Sequence, residues 1–423
     1  MQNILGKIRI AVKDRSLRRR IFFVLGALLV FRFLSTIPIP GVDILQLENF
    51  LAGNQFFGLL NIFSGGGLSN LSIVMLGVGP YITGSIVMQL LTLMSEKLKA
   101  LYHEEGEAGR KKFSQYSRLL TVPLAVIQGF GLLMLLQRNG ILAPLPPFEL
   151  IVNLLVITSG SVLLMWIGEL MTEFGIGNGI SLIIFAGIVA RIPTDVSQAM
   201  FSFDVSQIPV YIGFLAVAVL IVAGVVVVTE AERPIPITYA KRVRGNKVYG
   251  GVSTYLPLRV NQAGVIPIIF ALSILLFPQM ILNFLSGALG GTAESISAAL
   301  LGILANPWVY AVSYFLLVFL FTYFYTAVTF DPEAISTNLQ RSGAFIPGIR
   351  PGGSTAGYLS NVLTKITLVG AVFLGFVAIL PLVMQAITGL SSMAIGGTAL
   401  LIAVSVVIDL VKKIDAQISM REY

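Results

Sequence analysis

Residues 56–94 read FFGLLNIFSGGGLSNLSIVMLGVGPYITGSIVMQLLTLM. A short apolar run, Phe56 to Phe63, gives way to Ser64-Gly65-Gly66-Gly67-Leu68-Ser69-Asn70, and then to an apolar segment over 71–94. The last is long enough to cross a bilayer, whose hydrocarbon of roughly 30 Å takes about 20 apolar residues; the first is too short. Three consecutive glycines make a poor helix interior, each costing about 1 kcal/mol relative to alanine, and a good hinge. The stretch therefore predicts a full span preceded by a half-helix tucked back into the outer membrane face. Non-helical backbone is tolerated at that depth only where protein or a water-filled cavity surrounds it. The competing reading is an amphipathic helix lying on the outer interface.

The rest of the chain agrees with a membrane setting. Of its 423 residues 56% are apolar and 11% charged, against roughly 45–50% and about 25% in soluble domains, which excludes a soluble protein. Ten apolar segments emerge, near 21–38, 71–94, 119–137, 150–172, 179–193, 209–229, 262–285, 307–328, 361–382 and 391–411. The first, though preceded by Arg18, Arg19 and Arg20, ends in Ile37-Pro38-Ile39-Pro40 rather than at small residues, and is expected to be a permanent span rather than a cleaved signal. The fifth offers an unusually short apolar stretch, Gly179 to Pro193. The expected fold class is an all-α integral membrane protein of ten transmembrane helices. Five spans per half would make the second half an inverted copy of the first, and the halves are placed at 1–200 and 201–423.

The position of the charges sets the orientation. With the N-terminus in the cytoplasm, 25 of the 28 Lys and Arg fall on the cytoplasmic side; the exceptions are Arg32, Arg138 and Arg191. Such an excess is the positive-inside signal, and an even number of spans then puts both termini in the cytoplasm. It also explains the net charge of +8 without nucleic-acid binding as a primary function. Two cytoplasmic connections are long, 230–260 and 329–360. Each carries a dense turn signal, Lys241-Arg242-Val243-Arg244-Gly245-Asn246 and Phe345-Ile346-Pro347-Gly348-Ile349-Arg350-Pro351-Gly352-Gly353. Loops of this length usually have a function, so they read as shaped basic protrusions; the plainer alternative is that they only enforce topology.

Catalytic chemistry is poorly supported. Cysteine is absent and His103 is the only histidine, which leaves no thiolate site and little for a histidine-based centre. No phosphate-binding glycine loop with lysine is present. Ionisable residues within the spans are scarce: Arg32 reads as deep in the first, while Glu169 and Asp409 stand near cytoplasmic ends and can snorkel. No cofactor is expected. What the spans do contain is aliphatic side chains at helical spacing, Val78, Ile82 and Ile86 in one and Ile180, Ile184 and Ile188 in another, each set on one helix face. Such stripes usually pack against lipid or core. Beside a short helix and a glycine hinge they also suit an apolar constriction, which blocks ions by dewetting yet yields to a bulky guest. A secondary transporter of five-plus-five repeats and a membrane-embedded enzyme are the rival classes; the first would need polar ligands near the midplane and the second a convergent catalytic set.

Several motifs are familiar. Glu105-Gly106-Glu107-Ala108-Gly109-Arg110, Gly175-Ile176-Gly177-Asn178-Gly179-Ile180-Ser181, Tyr239-Ala240-Lys241-Arg242, Leu256-Pro257-Leu258-Arg259-Val260-Asn261 with Ala263-Gly264-Val265-Ile266-Pro267, the segment Gly343 to Gly352, and Gly396-Gly397-Thr398 follow one another along nearly the whole chain. In this the sequence resembles the SecY family, channel subunits of the bacterial protein translocase. Pro234 departs from the pattern, standing where many members carry a second basic residue. The resemblance implies two pseudosymmetric halves around a central hourglass pore that opens sideways between helices 2/3 and 7/8, and no enzymatic activity. It implies a plug at about 54–70 that includes Phe57, Leu60, Ile62, Phe63, Gly65, Gly66 and Gly67. A pore ring would use Val78, Ile82, Ile184, Ile188 and Ile402, with Ile266 or Ile269 from helix seven. Lateral-gate positions would be Thr83, Gln128 and Ser273. Lys241, Arg242, Arg244 and Arg350 would form a docking surface for the ribosome and the SecA motor. Further implied partners are the small membrane subunits SecE and SecG, signal peptides, nascent polypeptides and membrane lipids, in the cytoplasmic (cell inner) membrane.

Overall fold

The computed structural model describes residues 14–39, 61, 64–103, 105–138, 140–201, 208–240, 242–244, 247–249, 253–264, 266–289, 299–300, 302–303, 306–388 and 391–419. The chain is mostly helical. In order come α1 (Arg15–Leu34), α2 (Gly79–Met94), α3 (Glu96–His103), α4 (Gly106–Arg138), α5 (Pro147–Phe174), α6 (Gly179–Phe201) and α7 (Ile208–Glu230). Strands β1 (Glu232–Tyr239), β2 (Arg242–Arg244), β3 (Lys247–Tyr249) and β4 (Ser253–Arg259) follow, then α8 (Ile266–Leu289), α9 (Pro307–Thr329), α10 (Pro332–Arg341), β5 (Ala344–Phe345), α11 (Gly353–Thr388) and α12 (Ser391–Ser419). Among the described residues five helices are long and apolar enough to cross a membrane, and two shorter apolar stretches lie at Gly179–Thr194 and Ile266–Leu275.

Three of the differences from the sequence reading have a local reason. The second apolar segment begins at 71, but α2 starts only at Gly79, with Pro80 in its first turn. Residues 71–78 are successive turns, with Gly77 at φ +58° and even Leu71 at φ +39°, so Val78 is the residue before the helix rather than part of it. In the fifth segment the helix does not stop at Pro193 but continues to Phe201; what is short is its apolar part. Arg32 is not deep in a span: α1 ends at Leu34, so Arg32 is exposed in its last turn, where a cation also suits the helix dipole. At the other end Asp14 caps α1, its carboxylate accepting from the Ser16 amide at 2.8 Å.

The chain forms two compact units. The first comprises Met1–Ala216, Leu272–Tyr310 and Pro381–Tyr423. Within it α4 packs on α2 and α5, α5 on α6, α1 on α5 and α6, and α12 on α6. Glycines permit the closest approaches: a Cβ on Gly160 of α5 would stand 2.1 Å from the Ile73 carbonyl oxygen. One end of this unit is closed by Leu17, Ile176 and Ile418, with Ile21, Leu410 and Ile414 against them.

The second unit comprises Val217–Ala271 and Ala311–Leu380. Its sheet runs β4-β1-β5, with β1 antiparallel to β4 from Glu232↔Arg259 to Thr238↔Ser253. Alternation puts Ile235 and Ile237 inward and Pro234 and Pro236 outward, while Arg233, on the inward face by register, is exposed near the start of the strand. The inward side meets Leu258, Ile346, Leu359 and Val362, flanked by Phe330, Ile335 and Ile349. The two long connections thus share one small apolar core.

Candidate functional site

Asn61 organises the turn after the short apolar run. Its carbonyl accepts from the Gly66 amide at 2.9 Å and the Ser64 hydroxyl at 3.0 Å, and its side-chain oxygen accepts from the Ser69 amide at 3.1 Å. Ser64 Oγ in turn accepts from the Leu68 amide, and Ser69 Oγ donates to the Gly66 carbonyl at 2.7 Å. Gly65 and Gly66 hold φ +64° and +85°, a region that only glycine enters without strain. The following residues are tied to the end of α1. Ile39 donates to the Leu71 carbonyl and Ile73 to that of Ile37, while the Asn70 amide reaches the Ser35 carbonyl at 3.2 Å. Leu68, Leu71, Ser72, Val74, Met75 and Val78 are fully buried. The segment is a hydrogen-bonded knot inside the helices of the first unit. Phe57, Leu60, Ile62 and Phe63 lie outside the described residues, so the proposed half-helix does too.

The knot sits on two helices. A Cβ on Gly65 would meet the Phe31 ring of α1 at 2.3 Å, and a Cβ on Gly187 of α6 would meet the Gly65 Cα at 2.0 Å. One residue beyond, the Arg32 guanidinium lies 3.5 Å from where a Cβ on Gly66 would be. Gly187 and Phe31 escaped the sequence reading. The available signal was a glycine inside an otherwise strongly apolar helix, between Ile184 and Ile188.

The aliphatic stripes are withdrawn from the surface. In the first unit Val78, Ile82 and Ile86 at α2, Ile184 and Ile188 on α6, and Ile402 on α12 are all buried. They stand on helices that pack in sequence, α2 on α5, α5 on α6 and α6 on α12. In the second unit Ile269 is buried at 6% exposure and Ile266 only half-buried. Of the gate positions, Thr83 and Gln128 are buried on α2 and α4, which pack together. The Thr83 hydroxyl donates to the Gly79 carbonyl one turn back, and Ser273 is likewise buried on α8. Sequence reading also overlooked an ion pair across α4 and α5, Arg118 Nε to Glu169 Oε1 at 2.7 Å. Asp409 has a simpler partner in Lys413, one turn along α12.

Turn chemistry shapes the second unit's exposed end. Asp331 caps α10 through the Glu333 and Ala334 amides, and β5 returns to pair Thr238↔Phe345. Gly348 at φ +82° and Gly352 at φ +100° bracket Arg350. The Arg350 carbonyl accepts from Thr355 Oγ1 at 3.0 Å and that of Gly352 from Ser336 Oγ at 2.7 Å. The backbone is fixed on both sides while Arg350 itself is exposed. In the other connection β2 and β3 form a ribbon with Arg242↔Tyr249 and Arg244↔Lys247; Lys241 lies outside the described residues.

The comparisons with known proteins are consistent throughout. Residues 72–411 match the SecY family model. A relative named protein translocase subunit SecY, from Mycobacterium tuberculosis H37Rv, is 42% identical over 433 residues, covering 98% of this chain and 97% of the relative. Those from Corynebacterium glutamicum and Streptomyces coelicolor are 42% and 41% identical, each covering 98% of this chain and 98% and 97% of the relative. Among solved structures, a protein-conducting channel superposes with a TM-score of 0.65 at 18% identity, covering 96% of this chain and 94% of that one. Sec61 in a canine ribosome–channel complex from the endoplasmic reticulum gives a TM-score of 0.63, also at 18%, covering 96% and 94%. Identity above two-fifths across almost the full length of several relatives, with the same fold, leaves one assignment: the chain belongs to the SecY family.

Proposed function

We propose that this chain is the channel-forming subunit of a protein translocase in the cytoplasmic membrane, a multi-pass protein with ten spans, both termini cytoplasmic and no catalytic activity of its own. Its pseudosymmetric halves would be 1–200 and 201–423. The observation that carries the reading is the buried glycine knot at 64–78, packed on α6 at Gly187 beside Ile184 and Ile188. That is the arrangement expected of a plug seated next to a ring of aliphatic side chains. A structurally similar SecY protein has a plug domain that stabilises the closed state and maintains a membrane seal, and the same work falls here to about 54–70.

The physics is that of solvation. Each unpaired backbone polar group of an unfolded polypeptide costs several kcal/mol in hydrocarbon, so the path must be lined by protein and water. A narrow waist of Val78, Ile82, Ile184, Ile188 and Ile402, with Ile266 or Ile269 from the seventh span, would resist ions by dewetting. Branched aliphatic side chains make no directional bonds, so they close around a passing chain of any sequence. Transmembrane spans 2/3 and 7/8, with Thr83, Gln128 and Ser273 at the seam, would part to release apolar segments sideways. Partitioning decides which ones leave, since a leucine gains about 0.5 kcal/mol at the bilayer centre and an arginine loses about 3.

Secretion needs outside energy. The surface around Lys241, Arg242, Arg244 and Arg350 would receive the ribosome or the SecA motor, SecE and SecG would cover lipid-facing helices, and signal peptides, nascent chains and lipids would meet at the seam. Deleting residues 54–70 tests the core of the reading. The complex should assemble and its resting ion conductance in planar bilayers should rise several-fold; unchanged conductance would sink the plug assignment.

A further inference from the structure

Gly187 has no room for a side chain, and what fills the space is the backbone of the glycine turn. It is a helical residue inside α6, where alanine would be the better helix former, yet a single Cβ would come within 2.0 Å of the Gly65 Cα, 2.6 Å of its carbonyl carbon and 2.9 Å of its oxygen. All three are backbone atoms, which no rotamer change moves away. Gly65 has no slack either. The Phe31 ring closes it from α1, and φ of +64° fixes its turn through the Gly66 to Asn61 hydrogen bond. Two glycines therefore meet backbone to backbone, one in the knot and one on the helix that carries Ile184 and Ile188.

We infer that Gly187 is the seat of the plug: a positioning residue whose missing side chain lets the Gly65 turn dock beside the ring and holds the channel closed. Gly187 follows Ile184 by three positions and precedes Ile188 by one, so the docking face and the ring face adjoin on one helix. A displacement of the turn then frees the same stretch of α6 that supplies the constriction. The inference rests on the reading of 54–70 as a plug, and Arg32, over Gly66, and Phe31 mark the opposite wall of the seat.

Four purified complexes in planar bilayers test it: wild type, Gly187→Ala, the 54–70 deletion, and the deletion carrying Gly187→Ala. Gly213→Ala, where an added Cβ meets nothing within 4 Å, serves as control. Gly187→Ala should raise resting conductance several-fold, Gly213→Ala should not, and in the deletion background Gly187→Ala should add nothing. Wild-type conductance in Gly187→Ala, with the deletion leaky, would overturn the seat and leave the plug standing; wild-type conductance in both would overturn the plug as well. Should Gly187→Ala fail to assemble, the deletion decides: restored assembly in the double variant supports the seat, because the clashing partner is gone, and continued failure removes it.

Discussion

Glu169 and Arg118 show what a single pair of charges does at the edge of an apolar bundle. Glu169 is 19% exposed and Arg118 46%, and their contact at 2.7 Å joins α4 to α5. The sequence showed Glu169 near the end of a span, where a lone carboxylate could reach water, but not its partner, which is remote in sequence. Half-exposed pairs are worth about 1 kcal/mol or less. Glu169→Ala should therefore lower thermal stability in detergent only modestly. Arg118→Glu should cost more, by leaving two carboxylates facing each other, and Arg118→Glu with Glu169→Arg should recover most of the loss. If the swapped pair is no more stable than Arg118→Glu alone, the ion pair is not what joins the helices. The shared faces of Ile82 with Ile86 and of Ile184 with Ile188, all four buried, were by contrast legible from spacing, because a helix period fixes a face whatever lies against it; Ile402 came only from the family resemblance. Gly187 was not legible, since its reason is a backbone in another part of the chain.

At the scale of elements, hydropathy located the apolar segments well and their helical parts less well. Residues 71–78 are as apolar as α2 itself, so no window separates them. What breaks the helix is Gly77 at φ +58°, Pro80 in the first turn and the pairing of Ile37 and Ile39 with 71–73. In the long connections turn residues announced structure, but the sheet that joins β1 to both β4 and β5 is a long-range pairing that composition does not encode. Its consequence is that Arg350 stands on a fixed turn. The carbonyls of Arg350 and Gly352 are held by Thr355 and Ser336, so a charge placed there is presented at a set position. Arg350→Glu is accordingly expected to weaken binding of the motor or ribosome by at least tenfold and to block secretion, while membrane insertion and thermal stability stay near wild type. Normal precursor export by that variant would take Arg350 out of the docking surface.

For the whole molecule, charge is the quantity that couples sequence to placement in the membrane. Twenty-five of the 28 basic residues lie in the segments assigned to one side, so that reversing the chain would carry nearly all of them across the bilayer. The proposed docking residues Lys241, Arg242, Arg244 and Arg350 are among them, which would tie orientation to function: a channel inserted the other way would offer them to the wrong compartment. The absence of cysteine makes the orientation directly measurable, because any thiol then labelled is an introduced one. Ala143→Cys lies at an exposed position between α4 and α5, and Ser342→Cys at an exposed position between α10 and β5. In intact cells a membrane-impermeant maleimide should label the first and spare the second, with the second labelled only after the membrane is permeabilised. Labelling of Ser342→Cys in intact cells, or protection of Ala143→Cys, would reverse the topology and with it the assignment of the basic end to the cytoplasm.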